Sequence, residues 1–118
     1  MPFPTDKKTV IVTGTTGGLG SHLLERLLLD PSVERVYAIN RSSAGRTESL
    51  ETIHAGVFKE RGLDENALTE GIASGRVKFV VANTAATKLG VNDELYEELR
   101  SVTHILHNGT FRYIHIIV

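Results

Sequence analysis

A chain of 118 residues with a formal net charge of −1 fits one domain that is large enough to bury a core. This charge gives no reason to expect nucleic acid or a membrane surface as partner, and the absence of cysteine excludes disulfides and thiolate zinc sites. No apolar run approaches the roughly 20 residues of a membrane span, and the first residues lack a secretory signal. We therefore expect a cytoplasmic protein.

The first predicted elements are a buried strand, a glycine turn and a helix. Residues 9–13 are all β-branched, which is typical of a strand. The helix runs from about Gly17 to Leu29 and ends at Asp30, because the residue before Pro31 is disfavoured in a helix. Apolar residues at helical spacing predict one buried face, made of Leu19, Leu23, Leu24, Leu27 and Leu28.

Strand and helix patterns alternate through the rest of the chain. They predict a strand at 35–40, a helix from 46 or 47 to 61 with Leu50, Ile53 and Val57 on one face, a helix at 65–73, a strand at 76–82, a loop at 83–92, a helix at 93–100 and a strand at 102–107. This order predicts the α/β class, with a Rossmann-like parallel sheet of order 3-2-1-4 and flanking helices, truncated after about four strands. A ligand is expected beyond the carboxyl ends of the first and fourth strands.

The turn TGTTGGLG at 13–20 has the features of a dinucleotide pyrophosphate site. Gly14 would make the tight turn, Gly17 would let the main chain approach the phosphates, and Gly20 would let the helix pack closely on the strand. The following helix N-terminus offers N–H groups and a positive dipole end to an anion. A Walker-type loop is disfavoured because no lysine follows the glycines. The alternative is a glycine-rich turn without a ligand.

The residue after the second strand favours NADP over NAD. An NAD site places Asp or Glu there, whereas this strand ends in Asn40 and Arg41. A guanidinium makes a bidentate contact with a phosphate, as the 2′-phosphate of NADP requires. Ser42, Ser43 and Arg46 are candidate helpers, and the alternative is a solvated loop arginine.

These residues resemble the extended short-chain dehydrogenases, and more narrowly the NADPH-dependent thioester reductase domains of the male-sterility type. Such domains terminate carboxylic acid reductases and some enzymes that resemble non-ribosomal peptide synthetases. The matching stretches are VIVTGTTGGLGSHLLERLLLDPSVERVYAINR, KERGLD and LGVNDELYEELRSVTHILHNG, of which the third is the most specific. Together they cover most of residues 9–109.

The resemblance implies a set of contacts with NADP. Gly14, Gly17 and Gly20 match the pyrophosphate turn, and Thr15, Thr16, Gly18 and Leu19 would add backbone contacts. Arg41 matches the 2′-phosphate contact. Asn83 stands where the family usually has an acidic residue near the adenine, and its amide can still hydrogen-bond that base. His107, Asn108 and Gly109 match the end of the fourth strand, which lines the cofactor near its ribose and pyrophosphate.

The resemblance also implies what this chain lacks. The family protonates the carbonyl with a Tyr from a YxxxK helix as hydride arrives, and no YxxxK occurs here. In the whole family enzyme the hydride passes to a thioester on a carrier protein. We therefore expect one partial domain over 1–118, with an unmatched tail at 110–118, that is inactive alone. A truncated gene product, including one from a retained intron, would explain this. The alternatives are a non-catalytic dinucleotide-binding module or relic, and a fragment of another extended dehydrogenase such as a sugar-nucleotide epimerase.

Other kinds of functional site have weaker support in the sequence. His104 and His107 fall on opposite faces of a strand, which disfavours a metal site. A hydrolase would need a GxSxG elbow, which is absent. The acidic residues at 93–98 are typical of a solvated helix face. An edge strand beside an apolar tail predicts self-association.

Overall fold

Four parallel strands with helices on both faces form the structure, a computed structural model that describes residues 7–41, 47–83 and 86–107. The elements in chain order are β1 (Lys8–Thr13), α1 (Gly18–Leu29), β2 (Val33–Asn40), α2 (Leu50–Arg61), α3 (Glu65–Ser74), β3 (Val77–Val81), a 3₁₀ turn (Thr87–Gly90), α4 (Asp93–Arg100) and β4 (His104–Leu106). The strand order β3-β2-β1-β4 confirms the predicted Rossmann-like sheet. None of the described helices is long and apolar enough to cross a bilayer.

Two hydrophobic cores lie on opposite faces of the sheet, because successive side chains of a strand point in opposite directions. Val10 of β1 packs on one side with Leu24 of α1 and Phe58 of α2. Ile11, the next residue, packs on the other side with Leu99 of α4. Burial on both faces explains why β1 is apolar without alternation.

The strands differ from their predicted bounds by up to two residues at either end. β2 begins at Val33 rather than residue 35, and β4 is confined to 104–106 rather than 102–107. Just before β4, the N–H and hydroxyl of Thr103 donate to the Thr9 carbonyl at 2.8 and 3.0 Å. The Thr9 N–H donates in return to Thr103 Oγ1 at 3.1 Å. This threonine clasp thus joins β4 to β1 partly through side chains, just before the strand ladder begins.

The predicted loop at 83–92 contains the 3₁₀ turn. Within that turn Lys88 and Leu89 have φ angles of 53° and 58°, a left-handed conformation that is uncommon outside glycine. Leu89 is fully buried in the core that α4 covers. Packing of this side chain therefore holds a backbone conformation that local sequence does not favour.

Helix α2 differs from its prediction in both its start and its buried face. It begins at Leu50, not at residue 46 or 47, because the Ser49 hydroxyl accepts the Thr52 N–H at 3.1 Å and caps the helix. Its buried residues are Leu50, His54 and Phe58. The predicted face through Ile53 and Val57 was wrong by one position along the helix, and those two side chains are only half-buried.

Arg76 joins α3 and β3 to the end of α1. Its guanidinium donates to the carbonyls of Leu28 at 2.7 Å and Leu27 at 3.3 Å. It also donates to the carbonyls of Asp30 and Val33, both at 3.0 Å. The carbonyls at a helix C-terminus have no partner within the helix. One side chain thus satisfies the end of α1 and the start of β2 together.

Glu98 fixes α4 to the opposite face of the sheet. The Tyr37 hydroxyl donates to Glu98 Oε2 at 2.5 Å, and Lys78 lies 3.3 Å from Oε1. Burial together with this carboxylate raises the pKa of Tyr37 to about 12. The Tyr37 hydrogen bond and the Lys78 ammonium lower the pKa of Glu98. The pair therefore holds α4 with Glu98 ionised and Tyr37 neutral near pH 7.

Candidate functional site: the glycine turn after the first strand

The glycine turn lies at the carboxyl end of β1, where the winding of the sheet reverses. β2 and β4 flank β1, and both run parallel to it. Helices α1 to α3 supply the core on one face, whereas α4 supplies the core on the other. Open α/β sheets bind ligands beyond the strand ends at such a reversal, and a ligand at this place stays a prediction.

Gly14 and Gly17 form the turn itself. Gly14 has a φ angle of 69°, a left-handed conformation that glycine adopts readily. The Gly17 N–H donates to the Gly14 carbonyl at 3.1 Å, which closes the turn before α1 begins. Thr16, Gly17 and Gly18 are exposed. The main chain of the turn is therefore open to a ligand.

Helix α1 differs from the other described α-helices at its N-terminus. Its N-cap is Gly17, no side chain among the described residues caps it, and its first turn holds no acidic residue. In contrast, Ser49, Asp64 and Asn92 each cap their helices by accepting a backbone N–H, and acidic residues stand in each first turn. Capping side chains and carboxylates compete for the N–H groups and positive dipole that an anion would use. This competition is absent from the described surroundings of α1.

The side chain of Thr15 points into the protein, although Thr15 was predicted only for a backbone contact. It is fully buried, and its Oγ1 lies 2.7 Å from Nε2 of His54 on α2. The same hydroxyl lies 3.4 Å from Oδ1 of Asn40, the last residue of β2. The turn thus packs against α2 and against the end of β2. Sequence reasoning missed His54, although its place between Leu50 and Phe58 in an apolar i, i+4, i+8 stripe was a signal.

Arg61, the last residue of α2, is a second feature that the sequence did not reveal. Its Nη1 lies 3.5 Å from the position that a Cβ at Gly18 would take. The guanidinium therefore sits against the first turn of α1 and adds positive charge beside the open N–H groups. Leu19, which was predicted to face the core, is instead 63% exposed next to this surface.

The other predicted contact residues lie along the same edge of the sheet. Arg41 follows β2 directly and is exposed. Asn83 lies just beyond β3, and its N–H donates to the Leu89 carbonyl at 2.9 Å. His107 follows β4, with Nδ1 3.0 Å from Thr13 Oγ1 at the end of β1. The ends of all four strands thus carry a predicted contact. The predicted residues outside the described ranges are Ser42, Ser43, Arg46, Asn108 and Gly109.

In the part of the chain that the structure describes, no three His, Cys, Asp or Glu residues lie close enough together to hold a metal ion. His104 accepts or donates a hydrogen bond with Thr103 Oγ1 at 2.7 Å, and His107 pairs with Thr13. Both side chains therefore have polar partners within the sheet.

Comparison with known proteins gives one consistent picture. A family model of NAD-binding domains, described as male sterility protein, matches residues 12–112. The adenylate-forming reductase Nps10 of Heterobasidion annosum is 41% identical over 109 residues, which are 92% of this chain and 10% of that protein. Nps11 of Serpula lacrymans var. lacrymans, another adenylate-forming reductase, is 44% identical over 101 residues, which are 85% of this chain and 9% of that protein.

A solved structure agrees with these relatives. The terminal R domain from the myxalamid PKS-NRPS biosynthetic pathway superposes with a TM-score of 0.70 at 26% identity. The superposition covers 93% of this chain and 26% of that domain. The chain thus spans about a tenth of the curated reductases it matches and about a quarter of the solved domain. These findings favour the reductase interpretation over a sugar-nucleotide epimerase.

Proposed function

Since this chain belongs to the male sterility protein family, whose members bind a nicotinamide dinucleotide, we propose that it is the NADP(H)-binding N-terminal portion of a thioester or carboxyl reductase. The observation that carries the proposal is the N-terminus of α1. It is exposed, capped by glycine and free of acidic residues in its first turn, and it directly follows the left-handed turn at Gly14. A pyrophosphate needs such a surface.

The residues present fit the parts of NADP(H) in the order of the strands. The turn from Gly14 to Gly20, with Thr15, Thr16, Gly18 and Leu19, would hold the pyrophosphate. Arg41 at the end of β2 would contact the 2′-phosphate, and Asn83 beyond β3 would hydrogen-bond the adenine. His107, with Asn108 and Gly109 after it, would line the ribose and pyrophosphate beside β4.

The proposed substrate is a thioester on a carrier protein. When bound, NADPH supplies the hydride for such a reduction. The residues of this chain would bind and orient the dinucleotide, and the hydrogen bond between Thr13 and His107 joins the ends of β1 and β4 beside it. Residues 1–118 are proposed as a single nucleotide-binding unit. The boundary at residue 110 stays a prediction, because it lies outside the described residues.

Replacing Arg41 tests the choice between NADP and NAD. The parent chain is expected to bind NADPH more tightly than NADH, because a charge-assisted bond to the 2′-phosphate contributes about 1.5–3 kcal/mol. Arg41→Ala should therefore weaken NADPH binding by roughly 10–150-fold and leave NADH binding nearly unchanged. Fluorescence titration with both nucleotides measures the ratio. Equal affinities of the parent chain for NADPH and NADH would contradict the assignment of Arg41.

Arg26→Ala is the matched control for this titration. Arg26 is exposed at the opposite end of α1, in its last turn. It carries the same charge as Arg41 but lies far from the proposed site. Its loss should leave the ratio of NADPH to NADH affinity unchanged. An equal loss of preference in both variants would show that net charge, rather than a specific contact, sets the preference.

We also propose that the chain self-associates through β4. This strand pairs only with β1 in the described structure, and Ile105 and Leu106 are 38% and 36% exposed. An open apolar strand edge is a template for pairing with another chain. Sedimentation equilibrium should show association that Ile105→Lys abolishes. Val81→Lys on the other edge strand, β3, should leave it in place, and a monomeric parent chain would refute the proposal.

A further inference from the structure

Thr15, His54 and Leu50 form a buried chain of hydrogen bonds beneath the glycine turn, and the donor and acceptor of each bond can be assigned. Nδ1 of His54 lies 2.7 Å from the Leu50 carbonyl, which can only accept, so Nδ1 carries the proton. In the neutral ring Nε2 is then an acceptor. The Thr15 hydroxyl, 2.7 Å away, is the donor to it. Each of these two bonds has a defined donor and a defined acceptor.

The imidazole is also fixed in place by packing. His54 is fully buried, and its ring centroid lies 4.4 Å from that of Phe79 on β3. A buried polar side chain with two short hydrogen bonds has little freedom to rotate. Thr15 therefore has a rigid acceptor on α2. The hydroxyl has one proton, which it donates to His54, so its 3.4 Å approach to Asn40 Oδ1 is a packing contact that places the turn beside the end of β2, next to Arg41.

We propose that His54 is a positioning residue of the nucleotide site. Through Thr15 it holds the glycine turn in the conformation that presents the N–H groups of the turn and α1 to the phosphates of the dinucleotide. It also sets the position of this turn relative to Arg41, which would bind the third phosphate. The inference rests on the proposed function, because it assigns His54 a role in that same site.

Two buried residues of α2 allow a matched test with the full chain. His54→Leu removes both polar contacts and keeps an apolar side chain, whereas Phe58→Leu perturbs the core one turn further along α2. Both sites are fully buried, so both variants lose stability. Only His54→Leu should speed amide hydrogen exchange at Thr15, which is buried, and at Gly17, whose N–H is bonded to the Gly14 carbonyl. In the nucleotide-free chain we expect an increase of about tenfold, the equivalent of one lost hydrogen bond.

Binding of NADPH provides the second measurement, at a temperature where all variants are folded. His54→Leu should weaken it about tenfold, and Phe58→Leu by less than about twofold. His54→Gln, whose amide can donate to Leu50 and accept from Thr15, should restore most of the affinity. Thr15→Val should reproduce the loss, and the double variant His54→Leu with Thr15→Val should lose no more, because one bond connects the two residues.

The outcomes separate this inference from the proposed function. Unchanged exchange at Thr15 and Gly17 in His54→Leu, or an effect of Phe58→Leu of equal size, would overturn the positioning role. Faster exchange with unchanged NADPH affinity would also overturn it, since the turn would then not need His54 to bind. If the parent chain binds no NADPH, the proposed function fails, whereas the exchange measurement still decides whether His54 holds the turn.

Discussion

Gly14→Ala is expected to weaken NADPH binding by roughly 10–100-fold. Gly14 has a φ angle of 69°, where a side chain costs about 1–2 kcal/mol. The turn can relieve this strain only by moving, and movement breaks its 3.1 Å bond to Gly17 and misdirects the N–H groups behind it. Loss of one charge-assisted bond to phosphate, at about 1.5–3 kcal/mol, accounts for the loss of affinity. Isothermal titration with NADPH measures it.

Gly62→Ala is the control for Gly14→Ala. Gly62 ends α2 with a φ angle of 70°, and a Cβ there would meet no atom within 4 Å. The two substitutions impose the same backbone strain of about 1–2 kcal/mol. Both should lower the free energy of unfolding similarly in urea, but only Gly14→Ala should change binding. Similar losses of NADPH affinity in both variants would mean that strain acts through global stability rather than through the turn.

Arg76→Ala is expected to lower the free energy of unfolding by about 2–4 kcal/mol, the largest effect on stability among these predictions. It leaves four carbonyls, at Leu27, Leu28, Asp30 and Val33, without their shared charged donor. Hydrogen bonds from a charged group contribute about 1.5–3 kcal/mol each, and water can replace part of that at a half-buried site. Urea unfolding monitored by circular dichroism gives the value.

Arg76→Lys tests the cause of that loss. An ammonium keeps the charge but cannot span four carbonyls as a planar fork does, so this variant should recover less than half of the stability. Arg26→Ala, in the last turn of the same helix, should change stability by less than about 0.5 kcal/mol. Full recovery with lysine would show that charge near the end of α1, rather than the fork geometry, is what stabilises the fold.

The sequence predicted the sheet and the turn because local signals determine them. β-branched residues at 9–13, a change from strand to helix periodicity, and glycines in between all arise within 20 residues. The burial of His54 could not be decided in this way. Leu50, Ile53 and Val57 fit helical spacing as well as Leu50, His54 and Phe58 do, and only packing of α2 against β3 and the turn decides between the two faces.

The contacts of Arg76 and Arg61 also could not be predicted from local sequence patterns. Each was a charged residue at the boundary of a predicted element, and their partners lie more than 40 residues away in the chain. Long side chains reach such partners only after the helices have packed. Local patterns therefore predicted the turn that we propose as the phosphate site, but not the side chains packed against it or the added charge beside it.

The unequal capping of the four helices has a consequence for how fast an anion arrives. Asp64 and the carboxylates in the first turns of α2, α3 and α4 offset the positive ends of those three dipoles. The positive dipole end at the N-terminus of α1 is not offset in this way, and Arg61 lies beside it. Among the described helices, we therefore expect the N-terminus of α1 to attract a diffusing polyanion most strongly. Added salt would screen this guidance and slow the encounter more than it speeds departure.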